Sequence, residues 1–208
     1  MNKSFQKIVL SSLAAAAVMT TLSACAPLVV GGAVMTGMVV VDRRTSGIQL
    51  EDESIELRTA QGMRQNLLDN AHVNVTSYNR QVLLTGEVST AADKDKANKV
   101  AQSQENVKAV ANELTVQPVS SLTQRSKDAI ISGQIKALFV DAKDLQSNAF
   151  KVVTENGVVY MMGRVTSREA QRATDIARSI SGVTKVVRVL DIISEEELKR
   201  LSAQTSAK

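Results

Sequence analysis

One cysteine stands where a lipid could be attached to the chain. Cys25 is the only cysteine among 208 residues. It follows a start that carries Lys3 and Lys7 and the apolar run IVLSSLAAAAVMTTL. A charged start before a short apolar run is typical of a secretory signal, and this run is too short and too rich in Ala, Ser and Thr for a spanning helix. We therefore expect residues 1–24 to be removed and the Cys25 thiol to carry the lipid; the bland alternative is a buried free thiol or half of an intermolecular disulfide.

The residues around the cysteine support this interpretation. Leu22-Ser23-Ala24-Cys25 resembles the lipobox of bacterial lipoproteins, in which the cysteine is lipidated and becomes the first residue of the mature chain. Several acyl chains hold a protein firmly on a membrane, whereas one holds it only marginally. In lipoprotein families an Asp after the cysteine resembles an inner-membrane retention signal, and here Ala26 follows instead. The resemblance implies a lipid-anchored protein of the outer membrane that faces the periplasm.

The other chemistry-bearing residues form no catalytic or metal-binding pattern in the sequence. The only histidine is His72, at the start of a predicted strand, and zinc usually requires several Cys or His ligands. The glycines of residues 26–41 lack the Lys-Ser/Thr ending of a phosphate loop. Three Phe, two Tyr and no Trp argue against the stacking platforms that bind nucleic acid. We predict no enzyme, no metal, no cofactor and no nucleic-acid partner.

The mature chain contains an internal repeat. The stretch VNVTSYNRQVLLTGEVST (73–90) aligns without a gap over FKVVTENGVVYMMGRVTS (150–167), and ENVKAVANELTV (105–116) aligns over SGVTKVVRVLDI (181–192). Asn79 then matches Asn156 and Gly86 matches Gly163. A fixed offset of this kind indicates two copies of one structural unit.

Each copy predicts the order αββαβ, which gives an α+β fold with two helices on one face of a three-stranded mixed sheet. The first helices are expected at 53–69 and 127–141. Asn156-Gly157 is a strong hairpin signal because both residues tolerate positive φ. Thr166 and Glu169 predict a capping box for the second helix of the second copy. The two glycines Gly86 and Gly163 predict a bulge or a close packing point.

Order, hairpin and repeat together resemble the BON-domain family, and two copies behind a lipobox resemble its dual BON-domain outer-membrane lipoproteins. The stretches that carry the resemblance are residues 42–58, 73–88 and 152–170. We predict a signal peptide at 1–24, a lipidated apolar segment and linker at 25–51, BON domains at 52–118 and 119–193, and a short polar tail at 194–208. The resemblance implies a role in outer-membrane integrity, enrichment at the division site and contact with the β-barrel assembly machinery.

Charge distinguishes the two copies. Residues 52–118 carry seven Lys or Arg and nine Asp or Glu, whereas residues 119–193 carry eleven and seven. Such an asymmetry points to a partner for one half only. For an anchored envelope protein the nearest polyanion is an anionic phospholipid surface, to which each Lys or Arg contributes about 1 kcal/mol. The alternative is that these basic residues form a solvated face without a partner.

The family resemblance places phospholipid binding on the first helix of the second copy, where an aromatic side chain of the relatives enters the lipid. Here Ile130 takes that position, beside Lys127, and the stripe Ile131, Ile135 and Leu138 is expected to face the sheet; Ser126 or Asp128 is expected to cap the helix. The predicted contacts with cardiolipin or phosphatidylglycerol are Lys127, Asp128, Ala129, Ile130, Gly133, Gln134 and Lys136. Two alternatives stay open: Ile130 packs on the other copy, or the later helix binds lipid through Arg168, Arg172 and Arg178.

A different class of function is a periplasmic scaffold or chaperone for envelope proteins such as the β-barrel assembly machinery. The repeat would then present sheet edges or its acidic first copy to protein clients. Retention of partners after the basic residues are neutralised would favour this second hypothesis.

Overall fold

The structure is a computed structural model that describes residues 42–67 and 70–206, with side chains up to residue 201. The predicted signal peptide 1–24, Cys25 and the apolar segment 26–41 lie outside the described residues. Within the described ranges no helix has the length and apolar character needed to cross a membrane.

The first domain has the predicted order of elements, with one addition. Its elements are α1 (Ser46–Asn66), β1 (His72–Tyr78), β2 (Gln81–Val88), α2 (Ala91–Gln102), β3 (Ala109–Asn112) and β4 (Thr115–Val116). The helix α1 begins well before residue 53 because Thr45 caps it, accepting a hydrogen bond from the Ile48 amide. The predicted last strand is split into β3 and β4, both of which pair with β2 in parallel. The Asn112 side chain interrupts the strand by accepting from the Leu114 amide at 3.3 Å.

The second domain repeats this order with three strands. Its elements are α3 (Leu122–Asp141), a 3-10 turn (Ser147–Ala149), β5 (Phe150–Glu155), β6 (Val158–Thr166), α4 (Ser167–Ser179), β7 (Lys185–Ile193) and α5 (Glu195–Ser206). The capping box of Thr166 and Glu169 is confirmed. The predicted caps Ser126 and Asp128 are wrong, because α3 begins at residue 122 and the Ser121 hydroxyl accepts from the Gln124 amide. Sequence periodicity missed this first turn because it carries few buried apolar side chains.

Both hairpin turns use left-handed backbone. Asn156 and Gly157 have φ of 50° and 75°, as the Asn-Gly signal predicts. In the first domain the same positions are Asn79 and Arg80, at 53° and 65°. A long side chain at positive φ is uncommon, so surrounding contacts must hold the Arg80 turn in place.

Each domain has an apolar core between its helices and one face of its sheet. In the second domain Ile131 and Ile135 face the sheet, as predicted. Leu138 does not, since it is 38% exposed, and Phe139 takes the expected place as a buried residue. The Phe139 ring lies 5.1 Å from that of Phe150. The predicted buried stripe is therefore wrong by one residue at its last position.

A third core joins the two domains through the opposite faces of the sheets. Tyr78 and Leu83 of the first sheet pack with Tyr160, Met162 and Val189 of the second. Alternation along a strand sends successive side chains to opposite faces. β2 and β6 therefore each contribute side chains to a helix-side core on one face and to this third core on the other. The layers therefore run helices, sheet, sheet, helices.

Gly86 and Gly163 are places of close backbone approach. A Cβ built on Gly86 would lie 2.1 Å from the carbonyl oxygen of His72, and one on Gly163 would lie 2.3 Å from that of Ala149. Gly86 also has φ of 110°, which side-chain-bearing residues rarely adopt. Glycine stands at 86 and 163 because the backbone of a neighbouring segment passes too close for any side chain.

We expect Gly86→Ala and Gly163→Ala each to lower the free energy of unfolding by roughly 3 kcal/mol, since the clash is with backbone that cannot rotate away. The matched control is Gly133→Ala in α3, where a Cβ meets nothing within 4 Å. That change should raise stability by about 1 kcal/mol through helix propensity. Urea unfolding followed by circular dichroism measures all three, and equal stability of Gly86→Ala and the parent chain would contradict the close-approach explanation.

Candidate functional site

A buried carboxylate ties α3 to the hairpin of its own domain. Asp128 is only 3% exposed, and its two oxygens accept from the backbone amides of Asn156 and Gly157 at 2.9 Å each. Gln124, one turn earlier on the helix, donates to the same carboxylate at 3.2 Å. Asp128 was predicted to contact lipid; the structure places it on the inner face of α3, where it positions the helix instead.

The first domain has the same device. Asp52 of α1 is fully buried and accepts from the Arg80 amide and the Ser77 hydroxyl, each at 2.7 Å, and from the Asn79 amide at 2.8 Å. Burial alone would raise the pKa of Asp52, but these hydrogen bonds and the Arg44 guanidinium lower it overall. The repeat alignment carries a signal for this pair, since Asp52 and Asp128 each precede the hairpin by a similar interval.

The opposite side of α3 faces solvent. Of the seven predicted contacts, Lys127, Ala129, Ile130, Gly133, Gln134 and Lys136 are exposed. Ile130 is 60% exposed, so it does not pack against the other domain.

An uncharged row runs the length of this exposed side. We name it the outer face of α3 and define it as Leu122, Ser126, Ala129, Ile130, Gly133, Ala137 and Val140, all of them exposed. Apart from the adjacent pair Ala129 and Ile130, these residues recur at intervals of three and four and therefore share one side of the helix. Leu122 is 79% and Val140 71% exposed. An exposed row of this length with no charge is unusual for a helix in water.

The twin helix α1 shows a different exposed side. Its row consists of Leu50, Glu53, Leu57, Gln61 and Arg64. Leu50 and Leu57 are well exposed, but charged side chains interrupt and end the row. Since both helices are tied to their hairpins by an equivalent Asp, the difference lies in surface chemistry and not in the fold.

Lysines border the outer face of α3. Lys127 and Lys136 lie about a quarter turn to either side of its centre, as the helical repeat of 3.6 residues requires. Of the alternative arginines on α4, Arg172 pairs with Asp144 at 3.2 Å and Arg168 donates to the Asp144 carbonyl at 3.1 Å. Those contacts engage two of the three α4 arginines within the domain, whereas Arg178 is exposed.

A groove of about 500 Å³ opens beside the outer face of α3. Lys127, Ile130 and Gln134 form its helical wall, and Asn156 and the segment around Gly182 form the opposite one. No carboxylate lines it within the described residues. The groove therefore offers a cation and amide donors next to an exposed apolar side chain.

The two hairpin turns reach across to the opposite domains. Asn156 donates to the Glu87 carboxylate at 2.5 Å, and Asn79, its match in the repeat, donates to Asp191 at 3.3 Å. Lys151 of β5 pairs with Glu56 of α1 at 2.7 Å. These polar contacts surround the apolar core between the sheets.

The segment before α1 also binds both domains. Arg43 forms a two-pronged pair with Glu169, at 2.7 and 2.9 Å, and donates to the Arg164 carbonyl. The neighbouring Arg44 pairs with Asp52 at 2.7 Å and lies 4.2 Å above the Tyr78 ring. The sequence predicted a linker at these positions, and the structure shows Arg43 bound to the second domain and Arg44 to the first.

Comparison with known proteins decides the family. Residues 51–118 and 127–194 each match the model of the BON domain.

The chain belongs to the BON-domain family.

Two relatives are similar to this dual BON-domain chain over most of its length. It is 40% identical over 171 residues to outer membrane lipoprotein DolP of Haemophilus influenzae, across 81% of this chain and 88% of that protein. It is 32% identical over 155 residues to a 21 kDa hemolysin of Actinobacillus pleuropneumoniae, across 74% and 80%. The chain is an outer-membrane lipoprotein with two BON domains of the DolP kind.

We expect Asp128→Ala to lower the free energy of unfolding by roughly 2 to 4 kcal/mol, because two turn amides lose their acceptor inside the BON domain. Asp141→Ala, at the exposed end of the same helix, is the matched control and should change stability by less than about 0.5 kcal/mol. Denaturant titration measures both. Equal effects of the two changes would show that the turn does not depend on Asp128.

Proposed function

We propose that the second BON domain binds anionic phospholipid, such as cardiolipin or phosphatidylglycerol, through the outer face of α3, and that this contact supports outer-membrane integrity. The observation that carries the proposal is the uncharged exposed row of α3 with lysines on both borders. An apolar row at the acyl boundary with cations at headgroup level is the usual arrangement of interfacial helices. The same proposal includes enrichment of the protein at the division site.

The energetics favour a contact that depends on the anchor. Full burial of an isoleucine side chain contributes about 1.5 to 3 kcal/mol, and each lysine near an anionic surface contributes about 1 kcal/mol. These gains alone give weak binding. A lipid anchor raises the local concentration of the domain at the membrane and makes the weak contact effective.

The charge difference between the domains agrees with this assignment. The second domain carries a net positive charge and the first a net negative one. A negative domain is repelled from an anionic surface, so the pair should present its second domain to the membrane. The twin helix α1, whose exposed row includes Glu53, is correspondingly unsuited to the task.

A second candidate function rests on the first domain. Leu50 and Leu57 are 67% and 71% exposed on α1, and exposed leucines one heptad apart can anchor a partner helix or strand. This surface would let the protein act as a scaffold for envelope proteins such as the β-barrel assembly machinery. Crosslinking in cells separates the two functions, since a scaffold keeps its partners after the α3 lysines are neutralised.

We expect Ile130→Glu to weaken binding to phosphatidylglycerol liposomes at least tenfold, because a carboxylate replaces the side chain that enters the acyl boundary. The chain without residues 1–41 is used, so that the anchor does not contribute. Leu57→Glu is the matched control, an equally exposed apolar residue on the twin helix, and should bind like the parent. Co-sedimentation measures the three proteins; unchanged binding by Ile130→Glu would overturn the choice of helix.

We expect Lys127→Gln with Lys136→Gln to weaken binding roughly 30-fold at low salt, since two contributions of about 1 kcal/mol are lost. The difference should shrink as salt shortens the Debye length to about 8 Å and below. Lys99→Gln with Lys108→Gln in the first domain is the control. Binding that ignores both salt and the share of anionic lipid would contradict an electrostatic contact.

A further inference from the structure

The only histidine of the chain faces a buried carboxylate. His72 and Glu87 are direct partners in the β1–β2 pairing, so both side chains leave the sheet on the face that packs against the second domain. The Nδ1 atom of His72 lies 3.1 Å from Oε2 of Glu87. Glu87 is fully buried, and its other oxygen accepts from Asn156.

A second carboxylate reaches the same point from the other domain. Glu155, at the end of β5, is 7% exposed and accepts from the Asn74 side chain. One nitrogen of His72 and one oxygen each of Glu87 and Glu155 all lie within 4.8 Å of one another. Three donor atoms from two domains thus converge on one volume.

His72 is the one basic side chain that pairs with these carboxylates within the described ranges. Within the described ranges no Lys or Arg forms an ion pair with either carboxylate, while two buried carboxylates side by side repel each other. A cation bound between the two carboxylates would offset this repulsion.

A cleft connects the cluster with solvent. It has a volume of about 430 Å³, and His72, Glu155 and Asp128 line it together with Arg125 and Lys136. Since the cleft reaches the imidazole and one of the carboxylates, an ion and its remaining water ligands have both a route and room.

We propose that His72, Glu87 and Glu155 bind one divalent transition-metal ion of the zinc class between the two domains. Imidazole nitrogen and carboxylate oxygen are ligands of such ions, with bonds of about 2.0 to 2.2 Å. Two ligands of a tetrahedral ion at that distance lie about 3.3 Å apart, close to the 3.1 Å between His72 and Glu87. Glu155 must approach by a small side-chain rotation, and water from the cleft completes the shell.

The ion would link α3 to the first domain. Glu155 immediately precedes the turn that Asp128 of α3 holds, and Asn156 of that turn already bonds to Glu87. A ligand shared by both domains stabilises their association, because the metal binds only when the sheets are packed together.

The single histidine makes the test direct. The full chain, labelled with ¹⁵N only in histidine and held in a neutral detergent, is titrated with Zn²⁺ while the imidazole nitrogens are observed by NMR. We expect the His72 Nδ1 signal to move to a metal-bound position at one equivalent and to return when a chelator is added. The signal reports on the imidazole alone, so zinc bound at any other position does not mimic it.

Two variants and a control complete the test. Glu155→Gln keeps the size of the side chain and its acceptor for Asn74, and should weaken Zn²⁺ binding at least ~10-fold. His72→Gln should abolish the rise in melting temperature that Zn²⁺ gives the parent chain. Glu56→Gln removes a different carboxylate between the domains, the partner of Lys151, and should bind Zn²⁺ like the parent. An imidazole signal that does not move in tenfold excess Zn²⁺, or equal affinity of the Glu155→Gln and Glu56→Gln chains, would overturn the proposal.

Discussion

The bond between a buried aspartate and a hairpin turn organises both domains. In each one the first helix directs a carboxylate at the backbone amides of the turn, Asp52 in one domain and Asp128 in the other. The amides of a turn at positive φ point the same way and need an acceptor, and removing a buried acceptor costs about 1 to 3 kcal/mol for each donor. This bond fixes the rotation of the helix about its axis. The opposite side of the helix therefore faces solvent whatever residues it carries.

The same turns then join the domains. Asn79 and Asn156 bind the aspartate through their backbone amides and the other sheet through their side chains. Between the sheets, the apolar layer around Tyr78, Leu83 and Tyr160 removes water. Burial raises the pKa of Tyr78 and of Tyr160 to about 12, so neither ring ionises at ordinary pH. Because this layer is dry, the polar groups at its margin interact strongly. The convergence of His72, Glu87 and Glu155 at that margin is a consequence of how the sheets pack.

The two copies share the residues that set the fold and differ in the residues that face solvent. The residues that set the fold recur in both copies: the aspartate, the turn asparagine and the close-approach glycine. The residues on the outer side of the first helix do not recur, since α1 shows a broken row with Glu53 and Arg64 whereas α3 shows an uncharged one. Solvent-facing positions add little to stability, so the two copies could come to differ in the charge of their exposed sides without a change of fold.

The sequence alone determined the repeat, the αββαβ order and the Asn-Gly turn, because periodicity, turn chemistry and capping are local. It left open whether Ile130 is exposed or packs on the other domain. It misplaced the start of α3 and chose Leu138 over Phe139, since a buried stripe shifts by one residue without changing its period. Tertiary packing within and between the domains decided the rest. In the sequence Asp128 looks like a surface residue, because nothing local shows that the turn amides lie beside it. His72 looks isolated for the same reason. Tertiary contacts that no local pattern encodes bring two carboxylates to it, one of them 83 residues away.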